Sequence, residues 1–376
     1  MKNRTLLFLF MLFTVSIFAL SACGSGEENE ESETAGETTE EESADSGESS
    51  EEEASSAESD RGVNLYTSRH YDTDNELYEK FSEETGIEVN VISGSEDELI
   101  ERLEREGENT EGDVFITADA GRLHRAKEAE VLQAVESDVL NENIPENLRD
   151  KDNEWFGLTK RARILVYDPE RVDEEELSTY EALADEEWEG RVLVRPSDNI
   201  YNQSLVASMI SINGTEETSA WAEGLVHNFA RTPKGSDRDQ AKAVAAGEGD
   251  VAIMNSYYLG KMLNSSEEKE VEVGEQLEIF FPNQETTGTH VNVSGAGVTK
   301  HGPNQEAAVE FIEFLSSEKA QGEFSEANYE YPVNPDVEPS ELLQSWGDFE
   351  EQDLNLTELG QNNTEALMLM NEAGWN

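Results

Sequence analysis

Apolar positions recur along this chain in two rhythms, one of period two and one near 3.6, and they alternate from residue 63 onward. Val63 to Thr67 reads as a strand that runs straight into Ser68-Arg69-His70-Tyr71. Asp72 or Thr73 then caps a helix in which Leu77 and Phe81 share a face, stopping at Gly86. Ile87 to Ile92 is a second strand. A capping box at Ser95 and Glu98 opens a helix with Leu99 and Leu103 inward. Asp113 to Thr117 is a third strand, and Asp119-Ala120-Gly121 leads into a further amphipathic helix. This βαβαβα order predicts a parallel or mixed sheet wrapped in helices. A second unit follows Trp155-Phe156-Gly157-Leu158. Its predicted strands are Arg163 to Tyr167, Arg191 to Arg195, Val251 to Met254, Leu277 to Phe281 and Val291 to Thr299. Helices are predicted from Gln203 to Ile210, from Asp239 to Ala246 and from Pro303 onward.

The start of the chain is outside this pattern. Lys2 and Arg4 precede an apolar run from Leu6 to Leu20, too short to span a bilayer and built like a signal peptide. Leu20-Ser21-Ala22-Cys23 resembles the bacterial lipoprotein processing box, which implies lipidation of Cys23, the only cysteine of the chain. Residues 24–61 are almost purely acidic and small; 16 Asp and Glu fall in 24–60 with no Lys or Arg, so the segment reads as a disordered tether. The whole chain of 376 residues carries a formal charge of −59, of which −45 belongs to residues 61–376. Such a surface excludes nucleic acid as a natural partner, because phosphate binding needs clustered Lys and Arg. Spread over the predicted helix faces, the acidity resembles that of proteins from salty surroundings.

Candidate chemistry concentrates at strand ends, where open α/β sheets bind ligands. His70 and Tyr71 follow the first strand, Tyr201 sits in the turn after Arg191 to Arg195, and Tyr257 and Tyr258 end the buried Val251 to Met254 run. A phenol with a pKa of about 10 ligates only a metal acidic enough to displace its proton. Ferric iron is such a metal. No Gly-x-Ser-x-Gly, His-Glu-x-x-His or phosphate loop is present, so an enzyme is not expected.

Seven separated motifs, in order, resemble the ferric-iron-binding components of ABC importers, in the bacterial transferrin-like family and its cyanobacterial branch. They are residues 68–74, 119–123, 155–163, 199–204, 245–252, 255–258 and 288–292. The resemblance implies an α/β, two-lobed type II periplasmic-binding-protein fold with a ligand cleft between the lobes. It implies a first lobe of residues 62–160 plus 287–335 and a second of 161–286 plus 336–376. It further implies Fe³⁺ as transported ligand, held by His70, Tyr71, Tyr201, Tyr257 and Tyr258. Anion-bridged members carry a Glu after the third strand; here Ala118 and Asp119 stand there, which leaves a synergistic anion doubtful.

Four tyrosinates and a neutral His around Fe³⁺ leave a charge of −1, which calls for nearby cations. Lys261, Arg161 and Arg163 are candidates, with Arg69, Asp119 and Asn255 as further supporting groups. The expected protein is a lipid-anchored monomer on the extracytoplasmic face of the cell membrane, held there by its anchor only. It would deliver iron to an ABC permease. The competing readings are a binder of an organic cation such as a polyamine, using the tyrosines as a stacking box, and an extracellular hydrolase.

Overall fold

The computed structural model describes residues 62–69 and 71–376; the expected signal peptide, Cys23, the acidic tether and His70 lie outside the described residues. Among the described residues nine strands are formed: β1 (Gly62–Thr67), β2 (Glu88–Ser93), β3 (Val114–Ala118), β4 (Phe156–Tyr167), β5 (Val192–Leu193), β6 (Val251–Asn255), β7 (Glu278–Phe280), β8 (Val291–Val298) and β9 (Tyr331–Pro332). They run in the order β2-β1-β3-β8-β4-β6-β5, with β7 and β9 also paired to β4. β1 lies parallel to both β2 and β3, as short βαβ crossovers require. β8 is antiparallel to its neighbours β3 and β4.

β4 joins the two halves. Its residues Phe156 to Ala162 pair with β8, and from Arg163 to Tyr167 it pairs with β6. The strand predicted at Arg163 to Tyr167 is thus the second half of a longer one, whose first half was hidden because Lys160, Arg161 and Arg163 break the apolar pattern. Each half covers its own core. Val63, Leu65, Phe115, Phe156 and Phe311 belong to the first, while Leu165, Trp188, Leu205, Trp221 and Ile253 belong to the second. The C-terminal segment visits both, with Leu356 and Leu359 in the first core and Leu369, Met370 and Trp375 in the second.

Two predictions shift. β5 is only two residues long, and the residues after it turn at once. The following helix starts at Ile200, not Gln203, because Asn199 takes the extended N-cap conformation and Ile200 is buried. Tyr201 therefore stands in the first turn of a helix rather than in the preceding turn. Among the described residues no helix is long and apolar enough to cross a membrane.

Candidate metal centre

Three helix N-termini meet at one cavity of about 290 Å³. Tyr71 is the N-cap of the helix Asp72–Thr85, directly after β1. Tyr201 is the second residue of the helix Ile200–Asn213. Tyr257 and Tyr258 lie in the first turn of the helix Ser256–Leu263, whose N-cap Asn255 is the last residue of β6. All four tyrosines line the cavity. The unpaired N–H groups of a helix's first turn carry partial positive charge, so this placement favours phenolate over phenol once a metal arrives.

In the metal-free protein three of these phenols, Tyr71, Tyr257 and Tyr258, are held protonated. Burial pushes Tyr71 up to about 12, and the carboxylate of Glu330 adds to it. Tyr257 and Tyr258 are pushed well above their ordinary value, first by burial and then by the neighbouring Tyr201 oxygen. Tyr258 accepts a hydrogen bond from Tyr257, and their rings lie 4.2 Å apart, tilted by 31°. Tyr201, Tyr258 and Tyr71 all add to the rise at Tyr257, as neighbours around one cavity would.

Cations surround that cavity. Lys261 Nζ lies 3.3 Å from the centroid of the Tyr71 ring and 5.6 Å from that of Tyr257. Burial pulls its amine down to about 8. The Arg161 guanidinium, 2 % exposed, sits 5.5 Å from the Tyr201 ring, and Arg195 sits 5.6 Å from the same ring. Arg161 gives one hydrogen bond, from Nη1 to Ser294 Oγ at 3.0 Å; its Nε and Nη2 have no partner among the described residues. Arg69 donates to the same hydroxyl at 2.7 Å and is held by two buried carboxylates, Asp74 at 2.8 Å and Glu330 at 3.1 Å. Its guanidinium lies 5.0 Å from the Tyr71 ring.

The same arrangement of elements occurs in known proteins. A model of the family described as bacterial extracellular solute-binding protein matches residues 76–351. The chain belongs to that family. Iron uptake protein A1 of Synechocystis sp. is 47 % identical over the whole chain and 99 % of its own length. Iron uptake protein A2 of the same organism is 51 % identical over 85 % of this chain and 92 % of its own. Among solved structures, a Trichodesmium protein (IdiA, FutA) in complex with iron and citrate ligands superposes with a TM-score of 0.82 at 50 % identity, over 84 % of this chain and 100 % of that one. The fold of this solute-binding protein is accordingly the two-lobed type II arrangement.

The structure brings Tyr71, Tyr201, Tyr257, Tyr258, Arg69, Arg161 and Lys261 to one cavity and leaves three other predicted residues outside it. Arg163 does not reach the tyrosines. Its Nη1 bonds Asp237 at 2.7 Å and Asn255 at 3.0 Å, and its Nη2 bonds Asn202 at 2.7 Å. Asn255 acts from behind, as N-cap and as acceptor for Arg163. Asp119 caps the helix Ala120–Glu128 and touches no tyrosine oxygen.

Sequence reasoning missed Asp237, Arg195, Ser294 and Glu330. Asp237 is fully buried between Arg163 and Arg195 and accepts from the Asn255 backbone N–H at 3.2 Å. This network ties Asn202, beside Tyr201, to Asn255, two residues before Tyr257. Glu330 belongs to a stretch with no local signal; only β9 pairing with β4 brings it to the cavity. A cysteine-free, carboxylate-poor donor set of phenols suits a hard trivalent cation better than soft or divalent metals.

Proposed function

We propose that this protein captures ferric iron in the interlobe cavity through Tyr71, Tyr201, Tyr257 and Tyr258, with His70 as a fifth ligand, and delivers it to an ABC permease without catalysing a reaction. The observation that carries the reading is the charge of the cavity wall. Among the described residues Arg69, Arg161, Arg238 and Lys261 line it against Glu96 and Glu330. An organic polycation would be repelled by that wall. A tyrosinate-bound ferric ion, by contrast, carries net negative charge and is stabilised by it. The names of the relatives, iron uptake proteins, agree with this choice.

The unpartnered N–H groups of Arg161 also offer a place for an oxygen anion arriving with the metal. A carboxylate chelate of iron, as in the Trichodesmium complex, fits this wall better than an aqua ion alone. Lipidation at Cys23 would tether the protein, taken as a monomer, to the membrane beside its permease. The first test is colour: phenolate-to-Fe³⁺ charge transfer absorbs visible light. The purified protein is expected to develop such a band at one equivalent of ferric iron and to leave a polyamine unbound. A protein that stayed colourless would overturn the reading.

A further inference from the structure

Asp119 is an aspartate in a backbone conformation that glycine or asparagine usually takes, with φ 88° and ψ 125°, and it is completely buried. Such geometry persists only where surrounding contacts over-determine it. Its own helix accounts for only part of those contacts. The Gly121 N–H donates to Oδ1 at 2.8 Å, which is the N-cap bond. Asn292 Nδ2 donates to Oδ2 at 2.8 Å, and the Asp119 N–H donates to the Val293 carbonyl at 2.8 Å, both on the crossover strand β8.

The remaining bond is not needed for capping. Ser204 Oγ donates to Asp119 Oδ1 at 2.7 Å, and Ser204 is also completely buried. A serine inside a helix ordinarily bonds a carbonyl of its own preceding turn. Ser208 on the same helix does so, donating to the Leu205 carbonyl at 2.7 Å. Ser204 instead reaches out of its helix to a residue of the first lobe. It lies three residues after Tyr201, on the helix Ile200–Asn213, whose Leu205 and Val206 pack in the second core; Ala120 and Leu123, just after Asp119, pack in the first. A Cβ on Gly121 would stand 3.0 Å from Asp119 Oδ1 and 3.5 Å from Ile200 Cδ1, so the two helix starts abut here with no room to spare.

We propose that Asp119 is a positioning residue for Tyr201: through Ser204 it holds the N-terminal turn of the Tyr201 helix in register with the first lobe, where Tyr71 waits. The role rests on the ferric-site reading for its purpose but not for its geometry. Backbone strain at Asp119 is stabilised by contacts to β8, so the carboxylate is a fixed point rather than a mobile side chain. A second-lobe ligand held against that point meets the first-lobe ligands without a search.

The test uses the full chain carrying Ser204→Ala, with Ser204→Thr as the variant that keeps the hydroxyl. In metal-free protein, amide exchange at residues 200–204 is expected to speed up in S204A and to stay close to wild type in S204T. Iron dissociation is expected to accelerate about tenfold in S204A, the size of one lost hydrogen bond to a charged group. In a Tyr201→Phe background the same substitution is expected to change dissociation very little, because it acts through Tyr201. Unchanged exchange in S204A, or an equal acceleration in both backgrounds, would overturn the proposal. Should the wild type stay colourless with ferric iron, the iron reading alone would fall, and the exchange measurement would still decide for or against the positioning role.

Discussion

A phenol binds a metal only by giving up its proton, and here desolvation holds Tyr71, Tyr257 and Tyr258 protonated until the metal comes. That makes iron capture a proton-releasing event. With Tyr257 and Tyr258 pushed up and Tyr71 near 12, these three phenols start protonated at neutral pH. About one proton is expected to leave for each of these phenols that ligates the iron near pH 7, measured by pH-stat in weak buffer. Affinity must therefore rise with pH and fall on acidification. For the metal-free fold the sign is opposite at the alkaline end. A raised Tyr71 pKa contributes stability below pH 10 that is lost as pH climbs through about 12. Tyr201→Phe keeps the ring between Arg161 and Arg195 and removes only the oxygen. Its iron affinity is expected to fall by more than the roughly 10- to 100-fold that a supporting residue is worth. Competition with a chelator of known affinity measures it; a wild-type value would strike Tyr201 from the shell.

At the scale of the element, the site depends on how closely the helix Ser256–Leu263 can approach the segment that carries Glu330. Gly260 permits that approach: a Cβ there would stand 2.6 Å from the Tyr329 Cβ. Tyr329 cannot retreat easily, being a left-handed helix terminus at φ 57°. Gly260→Val is expected to cost about 1–3 kcal/mol of stability through overpacking. It should also shift Tyr257, Tyr258 and Lys261, which ride on the same helix. Denaturant unfolding reads the first effect, and the position of the charge-transfer band with iron reads the second. By contrast, Ser236→Ala removes a capping-box hydroxyl from the helix Asp237–Ala245. It is expected to cost about 1 kcal/mol and to leave the iron spectrum in place, since Ser236 itself does not line the cavity and its hydroxyl bonds Asp239.

Across the whole molecule, 85 acidic residues face 26 basic ones. Self-repulsion of this size opposes the compact state and is weakened by salt. The unfolding temperature of the metal-free protein is therefore expected to rise from low salt to about 1 M NaCl, where the screening length is only about 3 Å. Calorimetry across that range checks it, and a flat or falling midpoint would show that the acidic surface is already neutralised within the fold. The iron site should respond much less, since Arg161 and Tyr257 are buried beyond the reach of mobile ions.

The chain's local patterns determined where the cavity tyrosines stand relative to their own elements. Strands that alternate or run apolar toward Tyr71 and Tyr257 must deliver those residues just past the strands' C-terminal ends, and the capping signal at Ser95 reappears as a capped helix. The charge imbalance of a tyrosinate site was likewise calculable from residue types, and Lys261 and Arg161, expected near it, line the tyrosine cavity. What the pattern could not contain is distance. Tyr201 looked like a turn residue until burial of Ile200 extended its helix backward, and Arg163 looked like a partner of the tyrosines until Asp237 claimed it. Glu330, Asp237, Ser294 and the Asp119–Ser204 bond join residues tens to hundreds of positions apart. Short-range periodicity reports which face of an element is apolar; only packing of two cores around one shared strand decides which polar groups then meet.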